Sequence, residues 1–165
     1  MGRDKRNEQG RPDHWTKMIR PTMQTDAWRS LSTTAQALYP WLKFEWHGPK
    51  SNNNGKLRLS VRQAAECLGC NRNTAARAFL DLQAKGFIVQ TEGACLGTGG
   101  AAQSPSYELT EIALVGSNVG RRLYLNWKKG HDFPAIKSAT NNPSGTNGKT
   151  AITPDNVVSL KGGKS

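Results

Sequence analysis

Long apolar runs are absent from this chain. Nothing approaches the roughly 18 consecutive residues a membrane-spanning helix requires. The first fifteen residues, MGRDKRNEQGRPDHW, are polar throughout, with no feature of an export signal. Both absences point to a cytoplasmic protein with no membrane partner. Cysteine is scarce: Cys67, Cys70 and Cys95 are the only three. An odd, sparse set argues against a disulfide framework and fits reduced thiols. Histidine is equally thin, and His14, His47 and His131 lie far apart with no patterned Asp, Ser or Cys beside them. That removes the usual material for a triad or a metal centre, and the chain does not read as an enzyme. Acidic residues are few, 12 against 23 Lys plus Arg, for a formal charge of +11. A small chain with such an excess attracts polyanions, most commonly nucleic acid, although charge by itself does not distinguish nucleic acid from an acidic membrane surface.

A chain of 165 residues has room for one compact domain and its tails. Hydrophobic residues make up 36%, low for a chain packed along its whole length, so part of it reads as tail. The charge is spread unevenly. Residues 1–24 carry six cations and three acids, residues 25–115 nine and seven, and residues 116–165 eight and two. A nearly balanced core between basic flanks suits a specific reader assisted by non-specific phosphate attraction.

Residues 1–24 lack apolar periodicity and read as a flexible basic arm, with Trp15 and Met18 as candidates to dock on the core. A short helical turn is expected at Asp26-Ala27-Trp28. Ser32 then caps a longer helix in which Ala35, Leu38, Tyr39 and Leu42 recur at helical spacing, with a kink or split expected at Pro40. Trp41, Phe44 and Trp46 add a large apolar surface, and Gly48-Pro49 and Asn52-Asn53-Asn54-Gly55 mark a loop. Lys56–Ser60 alternates as a short strand. Ser60 and Gln63 stand at capping-box spacing before a helix packed through Ala64, Ala65 and Leu68 and ended by Gly69. Asn71 caps a second helix running to about Lys85, with Ala75, Ala78, Phe79 and Leu82 as its buried stripe and Gly86 as its stop. Two strands follow, Phe87–Thr91 and Tyr107–Thr110, around a small-residue loop. Arg122–Trp127 alternates and reads either as a further strand or as a docked extension. Beyond Pro134 the composition is that of a disordered basic tail.

The order strand, helix, three-residue turn, helix, two strands is that of a winged helix-turn-helix, an α+β fold whose sheet has three antiparallel strands. The segment LSVRQAAECLGCNRNTAARAFLDLQAKGFI resembles the DNA-binding region of GntR-type bacterial regulators: an apolar pair, a Leu-Gly-apolar turn, a polar cap, an arginine, then a helix ending in Lys-Gly before an apolar strand. The flanking AWRSLSTTAQALYPWLKFEWHG and NNNGKLRLS resemble uncharacterised bacterial helix-turn-helix proteins, some carried on mobile elements. The close likeness covers about thirty residues and the looser one roughly 25–130. It leaves no length for a GntR-type effector domain, so no small-molecule effector or cofactor is implied. The expected organisation is a winged helix-turn-helix domain at 25–115, a docked extension or extra strand at 116–133 and a disordered basic tail at 134–165.

In such a motif the second helix enters the major groove with its first residues facing base edges. Arg72, Asn73, Thr74, Ala76 and Arg77 occupy that position here. Arginine can bond guanine and asparagine adenine with two hydrogen bonds each, and a small Ala76 permits close approach. Ser60, Arg62 and Gln63 open the preceding helix, where backbone N–H groups and a cation suit phosphate, and Lys56, Arg58 and the cap Asn71 complete the candidate surface. The wing tip, GACLGTGGAAQ, has no Lys or Arg. Its Gly97, Thr98, Gly99, Gly100 and Gln103 either meet the backbone through N–H groups or make no contact. The implied partner is double-stranded DNA in a nucleoid-associated regulator of transcription. A replication or maintenance protein of a plasmid, phage or integrative element and a winged helix used for protein contact are the alternatives. A homodimer reading two half-sites is left open, since no heptad is visible.

Three other features weigh less. Cys67-Leu68-Gly69-Cys70 has CxxC spacing but no second pair of ligands, and Cys70 falls at the buried position of the turn. Gly148-Lys149-Thr150 ends like a phosphate-binding loop, but Pro143 stands where its first glycine belongs and no strand precedes it. Trp28, Trp41, Trp46 and Trp127 coincide with apolar faces. Of these, Trp127 beside Lys128 and Lys129 is the one suited to a backbone or an interface.

Overall fold

The computed structural model describes residues 14–95 and 103–137. The expectations for the arm before residue 14, for Gly97, Thr98, Gly99 and Gly100, and for the tail from residue 138, Gly148-Lys149-Thr150 included, lie outside the described residues. What is described is a mixed α+β arrangement of five helices and a three-stranded antiparallel sheet. In chain order these are α1 (Arg20–Met23), α2 (Asp26–Arg29), α3 (Thr33–Phe44), β1 (Leu57–Arg58), α4 (Val61–Leu68), α5 (Arg72–Ala84), β2 (Ile88–Glu92) and β3 (Ser106–Leu109), with short 3-10 turns at Pro49–Ser51 and Leu123–Asn126. No helix among the described residues is long and apolar enough to cross a membrane.

Local chemistry sets the helix ends. The side chains of Thr25, Ser32, Ser60 and Asn71 each accept a backbone N–H from the first turn of α2, α3, α4 and α5 respectively, satisfying donors that have no partner within the helix. Both α4 and α5 end on a left-handed glycine. Gly69 has φ +62°, with Cys70 N–H donating to Ala65 O and Gly69 N–H to Glu66 O. Gly86 has φ +77°, with Phe87 N–H donating to Leu82 O and Gly86 N–H to Gln83 O. Two bonds of this pattern at each end turn the chain sharply, so α4 meets α5 and α5 feeds directly into the sheet.

α3 is not split at Pro40 but runs unbroken from Thr33 to Phe44. The proline forfeits a hydrogen bond and crowds the preceding turn, at a cost of about 3 kcal/mol. Leu38, Tyr39 and Leu42 are fully buried on the same helix, each at about 1.5–3 kcal/mol of apolar burial, and together they outweigh that loss.

The core lies where α3, α4 and α5 pack together beneath the sheet. Trp28, Tyr39 and Phe87 meet edge to face with centroids 5.5–5.6 Å apart, and Phe79 stacks on Tyr107 at 5.1 Å. The strand order is β1-β3-β2, with Leu57 opposite Tyr107 and Ile88 opposite Leu109. The register shifts between Gln90 and Glu92, which places a bulge at Thr91. Every residue of β3 is buried, Glu108 included, because the chain after β3 returns across the sheet and Arg121 pairs with the Glu108 carboxylate. Arg122–Trp127 is accordingly not an extra strand. It is a docked turn in which Tyr124 stacks on Phe87 at 4.8 Å.

Two boundaries move outward from their expected positions. Residues 14–24 are docked rather than free: Met18 packs on the core, Thr22 Oγ1 donates to Glu111 Oε1 at 2.7 Å, and Lys17 O accepts from Lys43 Nζ. The cause is a buried Lys43–Glu111 ion pair of 2.6 Å, whose remaining hydrogen-bonding positions must be filled from this segment. Trp15, by contrast, does not dock and is 76% exposed. At the other end, residues 134–137 continue the folded chain. Buried Gln83 donates to Ile136 O and accepts from Ile136 N–H, and Phe133 N–H donates to Ala84 O.

Candidate nucleic-acid interface

α5 presents two unlike sides. Ala75, Ala78, Phe79, Leu82 and Gln83 are buried, which fixes the rotation of the helix and turns Arg72, Asn73 and Arg77 to the exposed side, with Ala76 half-buried among them. Among the described residues, no ion pair or hydrogen bond occupies the side chains of Arg72, Asn73 or Arg77. Two guanidinium groups and one amide therefore remain unspent on adjacent turns, a combination that can bond base edges or phosphates at little reorganisation cost.

Other predicted members are less available. Asn71 Oδ1 accepts both the backbone N–H of Thr74, at 2.8 Å, and its hydroxyl, at 3.0 Å, so both side chains are committed to the cap. Ser60 and Gln63 are likewise engaged with each other: Ser60 Oγ accepts Gln63 N–H and donates to Gln63 Oε1, which also accepts Ser60 N–H. Their contribution to an anion would come through the amides at the start of α4 rather than through the side chains. Arg62 is exposed and bonded to Glu66 one turn on, at 3.0 Å. An exposed pair of this kind is weak and readily exchanged for a phosphate. Lys56 is exposed, with no side-chain partner among the described residues.

Arg58 departs furthest from its expected role. Its guanidinium donates to Glu92 Oε2 at 2.7 Å and to Gln103 Oε1 and Ser104 O at 3.0 and 3.2 Å. Glu92 ends β2, while Gln103 and Ser104 lead into β3, so a single side chain on β1 clasps both stems of the hairpin. Glu92 in turn accepts from Ser106 Oγ at 2.9 Å. Arg58 thus acts as a hairpin brace, and Gln103 serves as one of its acceptors. The alternating strand pattern exposed Arg58 correctly, but its carboxylate partner lies 34 residues away, with no local signal pairing the two.

Sequence reasoning also missed Asn54. Its side chain is buried, donating to Leu109 O and Ile112 O and accepting from Leu109 N–H, which ties the loop before β1 to the end of β3. In the asparagine run it looked like ordinary loop. Cys70 packs partly buried against the core, Cys67 and Cys95 are exposed, and all three are free thiols. Among the described residues no three of His, Cys, Asp and Glu gather in a group able to hold a metal.

No family model, curated protein or solved structure matches the chain.

Proposed function

We propose that this protein is a winged helix-turn-helix that binds double-stranded DNA sequence-specifically, with α5 as the recognition helix in the major groove, and that it acts as a regulator of transcription. The observation that carries the reading is the unspent set Arg72, Asn73 and Arg77 on the exposed side of a helix whose opposite side is locked into the core. The strand order β1-β3-β2 and the antiparallel β2–β3 hairpin beside α5 support it, as that is how a wing is built. The excess positive charge supports attraction to DNA of any sequence, on which base contacts then discriminate.

A mobility-shift assay with genomic fragments at physiological salt tests binding, and recovery of the bound fragments supplies the site. On that site Arg72→Ala and Arg77→Ala each cost about 1–3 kcal/mol, with a smaller loss on random duplex. Equal loss on both would mean that the arginines meet only phosphate. Bound fragments carrying iterated repeats rather than one palindrome would point to replication or maintenance instead of transcription.

A second reading has its own observation. Trp41 is 40% exposed and meets Phe44 edge to face at 5.9 Å, and Trp15 stands open nearby in the sequence to His14, whose ring contacts Phe44. Such aromatics suit a protein partner. Failure of every genomic fragment to shift would favour this reading.

A further inference from the structure

The Trp127-Lys128-Lys129 sequence takes no part in the DNA reading, and its tryptophan is not a stacking platform. The indole is 9% exposed, its Nε1–H donates to Asp132 at 2.8 Å, and Lys85 Nζ lies 5.7 Å from the ring centroid. Burying the ring leaves its two lysine neighbours at the surface on a fixed base. Lys128 O accepts His131 N–H at 2.9 Å, closing a four-residue turn with Gly130 third, at φ +86°. The Trp127–Asp132 bond braces that turn from both sides.

Opposite the turn stands α2, anchored by the buried Trp28 and presenting Arg29 and Ser30. The two elements border an open, surface cavity of about 400 Å³ lined by Asp26, Arg29, Ser30, Trp127, Lys128 and Lys129. Three cations from two separate elements converge there against one carboxylate, and none of these four charged side chains has a hydrogen-bonded or ionic partner among the described residues. All three are exposed and solvated, so together they form a positive field over one concavity that attracts an anion.

We propose that this cavity is a phosphate-binding site. Arg29 would grip the phosphate through its planar fork, Lys128 and Lys129 would neutralise it as point charges, and Ser30 would donate a hydroxyl hydrogen bond. Asp26 subtracts one charge and leaves a net surplus of two. Lys85 at the end of α5 lies over the Trp127 ring. The cavity is therefore at the opposite end of α5 from Arg72, a helix length of about 20 Å away. Two sources share the required chemistry: a free phosphorylated small molecule, and the backbone of DNA that reaches around to this side.

The test titrates inorganic pyrophosphate into the intact protein without DNA while backbone amide shifts are followed, and separately measures duplex affinity. Wild type, Arg29→Ala and the double variant Lys128→Ala/Lys129→Ala are compared, with Lys50→Ala as an exposed cation outside the cavity; thermal melting checks that each is folded. The site predicts saturable shifts centred on residues 26–30 and 127–131, weakened about tenfold in both cavity variants and unchanged in Lys50→Ala. Weakened pyrophosphate binding with unaltered duplex affinity identifies a small-molecule site. Weakened duplex affinity, with or without the pyrophosphate effect, identifies the DNA backbone as a source. Shifts scattered over all exposed cations, together with duplex affinity equal in all four proteins, would overturn the proposal. The pyrophosphate arm needs no DNA, so its failure is separable from failure of the α5 reading.

Discussion

The side chains of Lys43 and Glu111 are each about 5% exposed or less, and an ion pair so far from water survives only because its other positions are filled. Glu111 accepts from Thr22, Tyr39 and Lys43, and Lys43 also donates to Lys17 O. Lys43→Met strands the carboxylate and costs about 3–5 kcal/mol in denaturant unfolding, most of it recovered in Lys43→Met/Glu111→Leu. A loss below about 1 kcal/mol, the scale of an exposed pair, would show that the network is open to water. Tyr39 belongs to the same network. Burial, and then the Glu111 charge, hold its phenol well above the ordinary 10.0, and Tyr124 is raised chiefly by burial as well. Once unfolded, these phenols ionise near 10.0, so the folded state binds the extra proton above that pH. The stability they contribute is complete below it and falls as pH rises further. Tyr39→Phe therefore loses stability less steeply than wild type above pH 10.0 in a melting series, and parallel slopes would contradict the assignment.

At the scale of elements, the two glycine stops do different work. A methyl group at Gly69 meets nothing within 4 Å, so Gly69→Ala costs only the left-handed conformation, about 1–2 kcal/mol. A methyl group at Gly86 would come within 2.8 Å of the Phe133 ring and 3.0 Å of the Leu123 backbone. Gly86→Ala therefore costs more and also lifts the strap of residues 123–136 that lies against α5, which speeds amide hydrogen exchange at Phe133, whereas Gly69→Ala does not. Equal costs and unchanged exchange would mean that the strap is not seated on α5.

What could be read beforehand divides along the same line. Caps at Ser32, Ser60 and Asn71, stops at Gly69 and Gly86, and the buried stripe of α5 are signals spread over a few residues, and they placed the helices and their outward side chains. The alternation of Arg122–Trp127 fits a strand or a docked extension equally well, and the choice is made by Phe87, 37 positions earlier, on which Tyr124 stacks. The Arg58–Glu92 brace and the buried Asn54, Glu108 and Glu111 also depend on partners in other elements, from 13 positions away for Glu108 to 89 for Glu111. Within the site, the pattern that names Ser60, Gln63 and Asn71 as capping residues also takes their side chains out of the set available to a ligand, and the Thr74 hydroxyl joins the Asn71 cap.

For the whole molecule, charge and structure are arranged separately. Residues 25–115 are close to neutral, and most of the cationic surplus lies in the segments on either side. On the proposed DNA-binding reading, long-range attraction falls to the flanks, and discrimination to the few groups left unspent on α5. The most direct test is backbone amide shift mapping of the full chain during titration with its recovered duplex site. The largest shifts are expected at residues 71–77, lost from that segment in Arg72→Ala/Arg77→Ala, with α3 nearly unmoved. Saturable binding that perturbs α3 around Trp41 and leaves residues 71–77 in place would contradict it.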